Sequence, residues 1–105
     1  MSKKAYILNF DKEGGYDTFN YVEFHNTLIT TKGIINWWHY LESSYILIVE
    51  SNITATNISD FIRQIAPNKY FFVAEIKLEN HNGWLPQEAW EWINKYKNQN
   101  PFNFF

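Results

Sequence analysis

The sequence carries an unbroken apolar run at Tyr45-Ile46-Leu47-Ile48-Val49, and a second apolar run lies at Ala5-Tyr6-Ile7-Leu8-Asn9-Phe10. Both runs are short, rich in β-branched and aromatic residues, and bounded by turn residues, so they predict β-strands. Side chains of a strand alternate between its two faces, and both faces of these strands are apolar. We therefore expect them to be the central strands of a sheet.

Two further strands complete the predicted sheet. Residues 34–40 are β-branched and aromatic, and the short polar segment Glu42-Ser43-Ser44 joins them to the central run as a hairpin. A fourth strand is predicted from Tyr70 to Leu78, where charged residues alternate with apolar ones in the second half. Charged side chains of this kind are typical of an edge strand.

Apolar residues at helical spacing predict three helices. The first is capped by Asp17 or Thr18 and runs to about Leu28. The second carries the clearest stripe, and Pro67 ends it. The third begins near Pro86, which suits the first turn of a helix. The stripe of the second helix consists of Ile58, Phe61, Ile62 and Ile65, and that of the third of Leu85, Ala89, Trp92, Ile93 and Tyr96.

The resulting order is β-α-β-β-α-β with an added C-terminal helix. Two split β-α-β units on one sheet, each with a right-handed crossover, predict an α+β, ferredoxin-like fold with a four-stranded antiparallel sheet. A chain of 105 residues has room for a single domain, residues 1–105. Its core spans residues 4–78, and the C-terminal helix and aromatic tail span residues 84–105.

Composition restricts the classes of function. The chain has no Cys, which excludes disulfides, thiolate metal sites and a Cys nucleophile. Its formal net charge is −2 and Arg63 is its only arginine, so charge does not support binding to nucleic acid or to anionic lipid. We expect a cytoplasmic protein with no membrane association, since no apolar run is long enough for a span.

The two apolar faces of the sheet predict a homodimer. Two crossover helices cover only one face, and the other would expose an apolar patch larger than monomers usually carry. Either the last helix folds back over this second face, or the same face of a second copy covers it around a two-fold axis. We expect the second copy, with the last helix or the tail reaching over it. The candidate interface residues are Ile7, Ile35, Trp37, Ile46, Ile48, Trp90 and Trp92.

Three segments resemble a known family: Tyr6 to Asp11, Trp37 to Tyr45, and Phe71 to Ile76. Their order and spacing, over about Lys4 to Leu78, resemble the small CRISPR-associated adaptation subunit. They are more similar still to its compact SinR-like relatives, and distantly similar to virulence-associated protein D.

The resemblance implies a homodimeric ferredoxin-like protein that has an acidic residue beside the dimer axis at the end of the first strand. Carried over to Asp11, it implies a divalent-metal role in nuclease activity, and it also implies a scaffold for duplex DNA. Two features depart from the family. Residues 12–17 are acidic and glycine-containing where the family is basic, and the Trp-rich segment 83–92 is additional.

Asp11 is thus the candidate catalytic and metal-binding residue. Two symmetry-related carboxylates could share one Mg²⁺, which prefers oxygen ligands. The alternative is an aspartate that ends a strand and starts a turn. Glu13 and Asp17 are close enough in sequence to add ligands, although an acidic loop is more often only solvated.

Other polar and aromatic residues carry weaker signals. The spacing of His25, His39 and His81 matches no familiar metal signature, and His39 lies in an aromatic strand where packing or hydrogen bonding is expected. Tryptophans can stack on unpaired bases, but such sites normally accompany a basic groove. The lysines here are scattered, so we expect the five tryptophans to pack in the core or an interface.

The sequence therefore favours a homodimeric interaction or scaffold protein without established catalysis. One alternative is a divalent-metal-dependent endonuclease that cuts RNA or DNA through Asp11 at the dimer axis. Another is a phage or mobile-element protein whose aromatic surface binds a host protein.

Overall fold

The computed structural model describes residues 3–11 and 20–96, which form four strands and three helices. In chain order these are β1 (Lys3–Phe10), α1 (Tyr21–Ile29), β2 (Ile34–Leu41), β3 (Ser44–Glu50), α2 (Ala55–Ile65), β4 (Phe71–Ile76) and α3 (Gln87–Tyr96). The order of elements matches the prediction, and the chain is an α+β domain. The aromatic tail from residue 97 onward lies outside the described residues.

The four strands form one antiparallel sheet in the order β2-β3-β1-β4. The two most apolar strands, β1 and β3, lie in the centre, as their composition predicts. The edge strands are β2 and β4. Within the described residues, no helix is long and apolar enough to cross a membrane.

One face of the sheet, the first face, carries α1 and α2. Its strand side chains include Tyr6, Leu8 and Leu47, all buried against a helix. The helices contribute buried apolar residues at helical spacing, namely Phe24 and Leu28 from α1 and Ile58 and Ile62 from α2. The two helices and the sheet thus form two packed layers around one apolar core.

Side-chain caps fix where the two crossover helices begin. The side chain of Asn20 accepts a hydrogen bond from the backbone N–H of Glu23 at the start of α1. Thr54 and Asn57 form a reciprocal capping box at the start of α2. The expectation that Asp17 or Thr18 caps α1 is wrong, because Asn20 is its cap; Asp17 and Thr18 lie outside the described residues.

The opposite side of the sheet, the second face, is partly covered by α3 of the same chain. Ile46 and Ile48 of β3 are buried against Ala89 and Ile93 of α3 in a second apolar cluster. The last helix therefore folds back on its own sheet, which is one of the two arrangements expected for this face. Two of the candidate interface residues, Ile46 and Ile48, are thus taken up by packing within one chain.

The expected placement of Trp37 on the second face is wrong. Ile34 pairs with Val49 but Asn36 pairs with Ile48, so β2 contains one extra residue at this point, a β-bulge. An extra residue exchanges the faces of the side chains that follow it, here up to the second register shift between Trp38 and Leu41. Trp37 therefore packs on the first face, and Trp38 lies buried on the second.

The bulge also provides polar contacts to α3. The indole N–H of Trp38 donates to the backbone oxygen of Ala89 at 3.3 Å. Asn36, the first residue after the bulge, hydrogen-bonds through its amide to the hydroxyl of Tyr96 at the other end of the helix. The two bonds attach both ends of α3 to β2 and fix its position along the strand.

Replacing Ile93 by alanine tests the contribution of α3. Ile93 is only 4% exposed in the second cluster. We expect Ile93→Ala to lower the free energy of unfolding by about 2–4 kcal/mol, because it removes buried methyl groups and leaves a cavity. Urea denaturation of the full chain measures this change. The matched control is Asn94→Ala, an exposed position of the same helix, which should change the value by less than about 0.5 kcal/mol. Equal effects of the two changes would contradict the packing of α3 described here.

Candidate functional site

Asp11 follows directly after β1 and is exposed. Its backbone N–H donates to the backbone oxygen of Tyr70 at 2.9 Å, which continues the pairing of β1 with the chain before β4. Its own backbone oxygen accepts a hydrogen bond of 2.7 Å from the Lys69 ammonium. The backbone of Asp11 thus has the strand-ending role that was the alternative to metal binding.

Lys69 is a buried cation, with 8% of its surface exposed. Besides the oxygen of Asp11, its ammonium reaches the hydroxyl of Tyr21 at 3.2 Å and lies 5.3 Å from the centre of that ring. A buried ammonium is stabilised only when it is hydrogen-bonded in this way. Lys69 thereby joins the end of β1, the start of α1 and the segment that leads into β4.

The residues that the structure describes do not assemble a metal centre around Asp11. Among residues 3–11 and 20–96, no three His, Asp or Glu side chains lie close enough together to hold an ion. The two further acidic candidates, Glu13 and Asp17, lie outside this part of the chain. The magnesium site with paired Asp11 carboxylates that the resemblance implies therefore stays a prediction.

Two of the three histidines meet beside a buried tyrosine on the first face. The Nδ1 of His25, on α1, lies 2.6 Å from the hydroxyl of Tyr45, on β3. The ring of His39, on β2, stacks on the Tyr45 ring with centroids 3.9 Å apart and planes 5° from parallel. Trp37 closes the group with an edge-on contact to His25 at 4.7 Å. We call these four residues the histidine cluster.

Hydrogen bonds fix the orientation of both imidazoles. The Nδ1 of His39 lies 2.9 Å from the backbone oxygen of Ser44, which only accepts, so in this bond Nδ1 carries the proton. His39 is therefore packed and hydrogen-bonded, as its position in an aromatic strand predicts. The hydrogen bond between the Nδ1 of His25 and the hydroxyl oxygen of Tyr45 also contains one proton. Neither bond uses the Nε2 atom of the His25 or His39 ring.

The environment favours the neutral forms of these groups. Burial, and secondly the nearby His39, lowers the pKa of His25 below its ordinary value of 6.5. Burial raises the pKa of Tyr45 to about 12, so its hydroxyl keeps its proton at all physiological pH values. The cluster therefore presents a neutral imidazole and a phenol, which suit packing and proton exchange better than binding to an anion.

Sequence reasoning did not pair His25 with Tyr45, although the signal was present. His25 lies on the apolar stripe of α1, and Tyr45 belongs to the side of β3 that carries Leu47 and Val49. Both stripes face the same core, which brings the two polar atoms together. Trp37 could not be added to this group from the sequence, because only the bulge turns it toward α1.

The remaining candidate interface residues lie at different depths. Ile7 is half-buried, and Ile35, at the bulge, is 45% exposed. Trp90 and Trp92 of α3 are half-buried against the second cluster. Trp90 stacks on His81 at 5.5 Å and Trp92 contacts Tyr96 at 4.7 Å. Packing thus accounts for these tryptophans and for Trp37 and Trp38, whereas Trp84 is exposed.

Comparison with protein-family models, curated proteins and solved structures finds no match to this chain. Its relation to the adaptation subunit stays a prediction from the residues quoted above.

The lowered pKa of His25 predicts a loss of stability in mild acid. The unfolded chain takes up a proton at His25 near pH 6.5, whereas the folded chain does so only at lower pH. Below about pH 6.5 the unfolded state therefore binds more protons than the folded state. The contribution of His25 to the free energy of unfolding decreases as the pH is lowered through this range and is constant above it. Urea titrations from about pH 8 to about pH 5 should show a smaller fall for His25→Gln than for the unsubstituted chain.

His81→Gln is the control, because His81 packs against Trp90 on the other side of the sheet and lies outside the cluster. It should keep the fall in stability that His25 causes in mild acid. An identical acid response in His25→Gln would show that His25 does not titrate as the histidine cluster requires.

Proposed function

We propose that this chain is a ferredoxin-like interaction module that acts as a homodimer. Support for the fold comes from the two β-α-β units, from the sheet order β2-β3-β1-β4 and from the placement of α1 and α2 on one face. Support for self-association comes from the part of the second face that α3 leaves open.

This open part is a strip on the β1–β4 side of the sheet. Ile7 pairs with Ala74, and Asn9 pairs with Phe72, so their side chains are neighbours on the second face. Phe72 is 64% exposed, and Ile7 and Ala74 are half-buried. None of these three apolar residues belongs to the cluster under α3. We call Ile7, Phe72 and Ala74 the β4 strip.

The single observation that carries the proposal is the exposure of Phe72 within this strip. An aromatic side chain is among the residues whose burial contributes most to an interface. Two copies related by a two-fold axis can bury the same strip against itself, since such an interface is self-complementary. The exposed polar Asn9 lies at the border of the strip, where interfaces are usually polar.

Removing the aromatic ring at position 72 tests the dimer. Burial of a Phe side chain is worth about 1.5–3 kcal/mol, and a two-fold dimer buries it twice. We therefore expect Phe72→Ser to weaken dimerisation at least about a hundredfold, measured by sedimentation equilibrium over a range of concentrations.

The matched control is Val22→Ser, which changes another exposed apolar residue, 70% exposed, on α1 at the opposite face. It should leave the dimer unchanged. A chain that sediments only as a monomer at about 100 µM, or two variants with equal effects, would contradict the proposed use of the β4 strip.

The metal-nuclease alternative is tested by Asp11→Asn. Binding to phosphates depends on several cationic side chains, and this chain has a net charge of −2. We expect the unsubstituted chain and Asp11→Asn to leave labelled RNA and DNA equally intact with Mg²⁺ or Mn²⁺. Cleavage by the unsubstituted chain that is lost in Asp11→Asn, while the dimer persists, would instead establish an enzyme with paired Asp11 carboxylates.

A further inference from the structure

A groove of about 600 Å³ lies along the open edge of β4, between this strand and α2. Ser59 and Arg63 of α2 line one side, and Phe71 and Val73 of β4 line the other. Among residues 3–11 and 20–96, the strand has a hydrogen-bonded neighbour, β1, on its inner side only. The groove therefore combines a helix wall with a strand edge.

The outer backbone groups of β4 point toward this open side. The hydrogen bond from the N–H of Asp11 to the oxygen of Tyr70 shows which residues bond to β1, and in an antiparallel pair these are every second residue. The intervening residues, Phe71, Val73 and Glu75, direct their N–H and C=O groups away from β1. An added strand would find three evenly spaced residues to pair with.

The two edge strands, β2 and β4, differ in how regular a backbone they offer to an added strand. The register of β2 shifts at two points along its pairing with β3, and bulges of this kind disturb an edge. The register of β4 with β1 has no shift over six residue pairs. Of the two edges, β4 is thus the regular one.

The charge of the groove indicates what it would bind. Its lining contains two cationic residues, Lys69 and Arg63, and no Asp or Glu among the described residues. Lys69 is committed to Asp11 and Tyr21. Arg63 is exposed, and within the described residues its guanidinium forms no hydrogen bond or ion pair. A guanidinium binds a carboxylate through two parallel hydrogen bonds, which favours an acidic partner.

We propose that this groove binds an extended acidic segment of a partner protein. The segment adds to the edge of β4 as a fifth strand and places an Asp or Glu carboxylate against Arg63. Main-chain hydrogen bonds to Phe71, Val73 and Glu75 supply binding that is independent of side-chain identity, and Arg63 supplies the preference for acid. This binding goes beyond the proposed self-association, because it uses the outer edge of β4 and Arg63, although Phe72 of the β4 strip also lines the groove.

A synthetic peptide tests the preference for acid. Fluorescein-labelled Thr-Val-Glu-Val-Thr-Val-Ser is titrated with the full chain, and fluorescence polarisation reports binding. We expect saturable binding that weakens about tenfold when the peptide Glu is replaced by Gln. Arg63→Gln should weaken binding of the Glu peptide by a similar factor and leave the Gln peptide unaffected. Arg63→Lys should restore only part of the difference, since an ammonium lacks the paired geometry.

A second pair of variants tests the strand edge. Glu75→Pro removes an outward N–H without breaking a bond to β1, and Glu75→Ala is its control, because it removes the same carboxylate and keeps the N–H. We expect Glu75→Pro to weaken binding of the Glu peptide at least about tenfold, and Glu75→Ala to leave that binding unchanged. Circular dichroism confirms that both variants are folded. A peptide N-methylated on alternate backbone nitrogens tests the same bonds without changing the protein, and it should lose binding.

Other results would overturn the proposal. These are no saturable binding of the Glu peptide up to about 1 mM, equal binding of the Glu and Gln peptides, or equal binding of the N-methylated peptide. A dimer that dissociates in Glu75→Pro but persists in Phe72→Ser would show that a second copy occupies the edge of β4. Failure of the proposed dimer is distinguishable, because Arg63→Gln, which lies outside the β4 strip, should weaken binding of the Glu peptide and leave self-association unchanged.

Discussion

The contact between α3 and β2 is the interaction on which the rest of the molecule depends. It closes the half of the second face that carries Ile46 and Ile48, and the bulge before Asn36 makes it possible. Without the extra residue, Trp37 would lie under α3 and Trp38 would face α1. The bulge thus places Trp38 beneath α3 and also places Trp37 beside His25.

Periodicity was sufficient to predict the elements and their arrangement in the sheet. The central position of β1 and β3 follows from runs that are apolar on both faces, and the end of α2 follows from Pro67. Periodicity could not predict which face of the sheet each side chain of β2 occupies after the bulge. No Gly or Pro marks that position in Ile34-Ile35-Asn36, and a single Asn between apolar residues does not by itself indicate a bulge, so strict alternation misplaced Trp37.

The polar sites were less predictable, because they depend on contacts between distant segments. Asp11 was correctly singled out as the end of β1, yet Lys69, whose ammonium donates to its backbone oxygen, lies 58 residues away. The histidine cluster likewise joins α1, β2 and β3. In both cases the residue types were visible in the sequence, whereas their meeting depends on the crossovers and on the register of the sheet.

The position of α3 in chain order has a consequence for synthesis. Every strand of the sheet precedes residue 77, but the helix that covers Trp38, Ile46 and Ile48 is complete only at Tyr96. A chain that extends only as far as β4 would therefore contain the whole sheet but lack the helix that covers these aromatic and aliphatic side chains. Premature termination before α3 would leave this surface exposed, and such a product would be prone to aggregation.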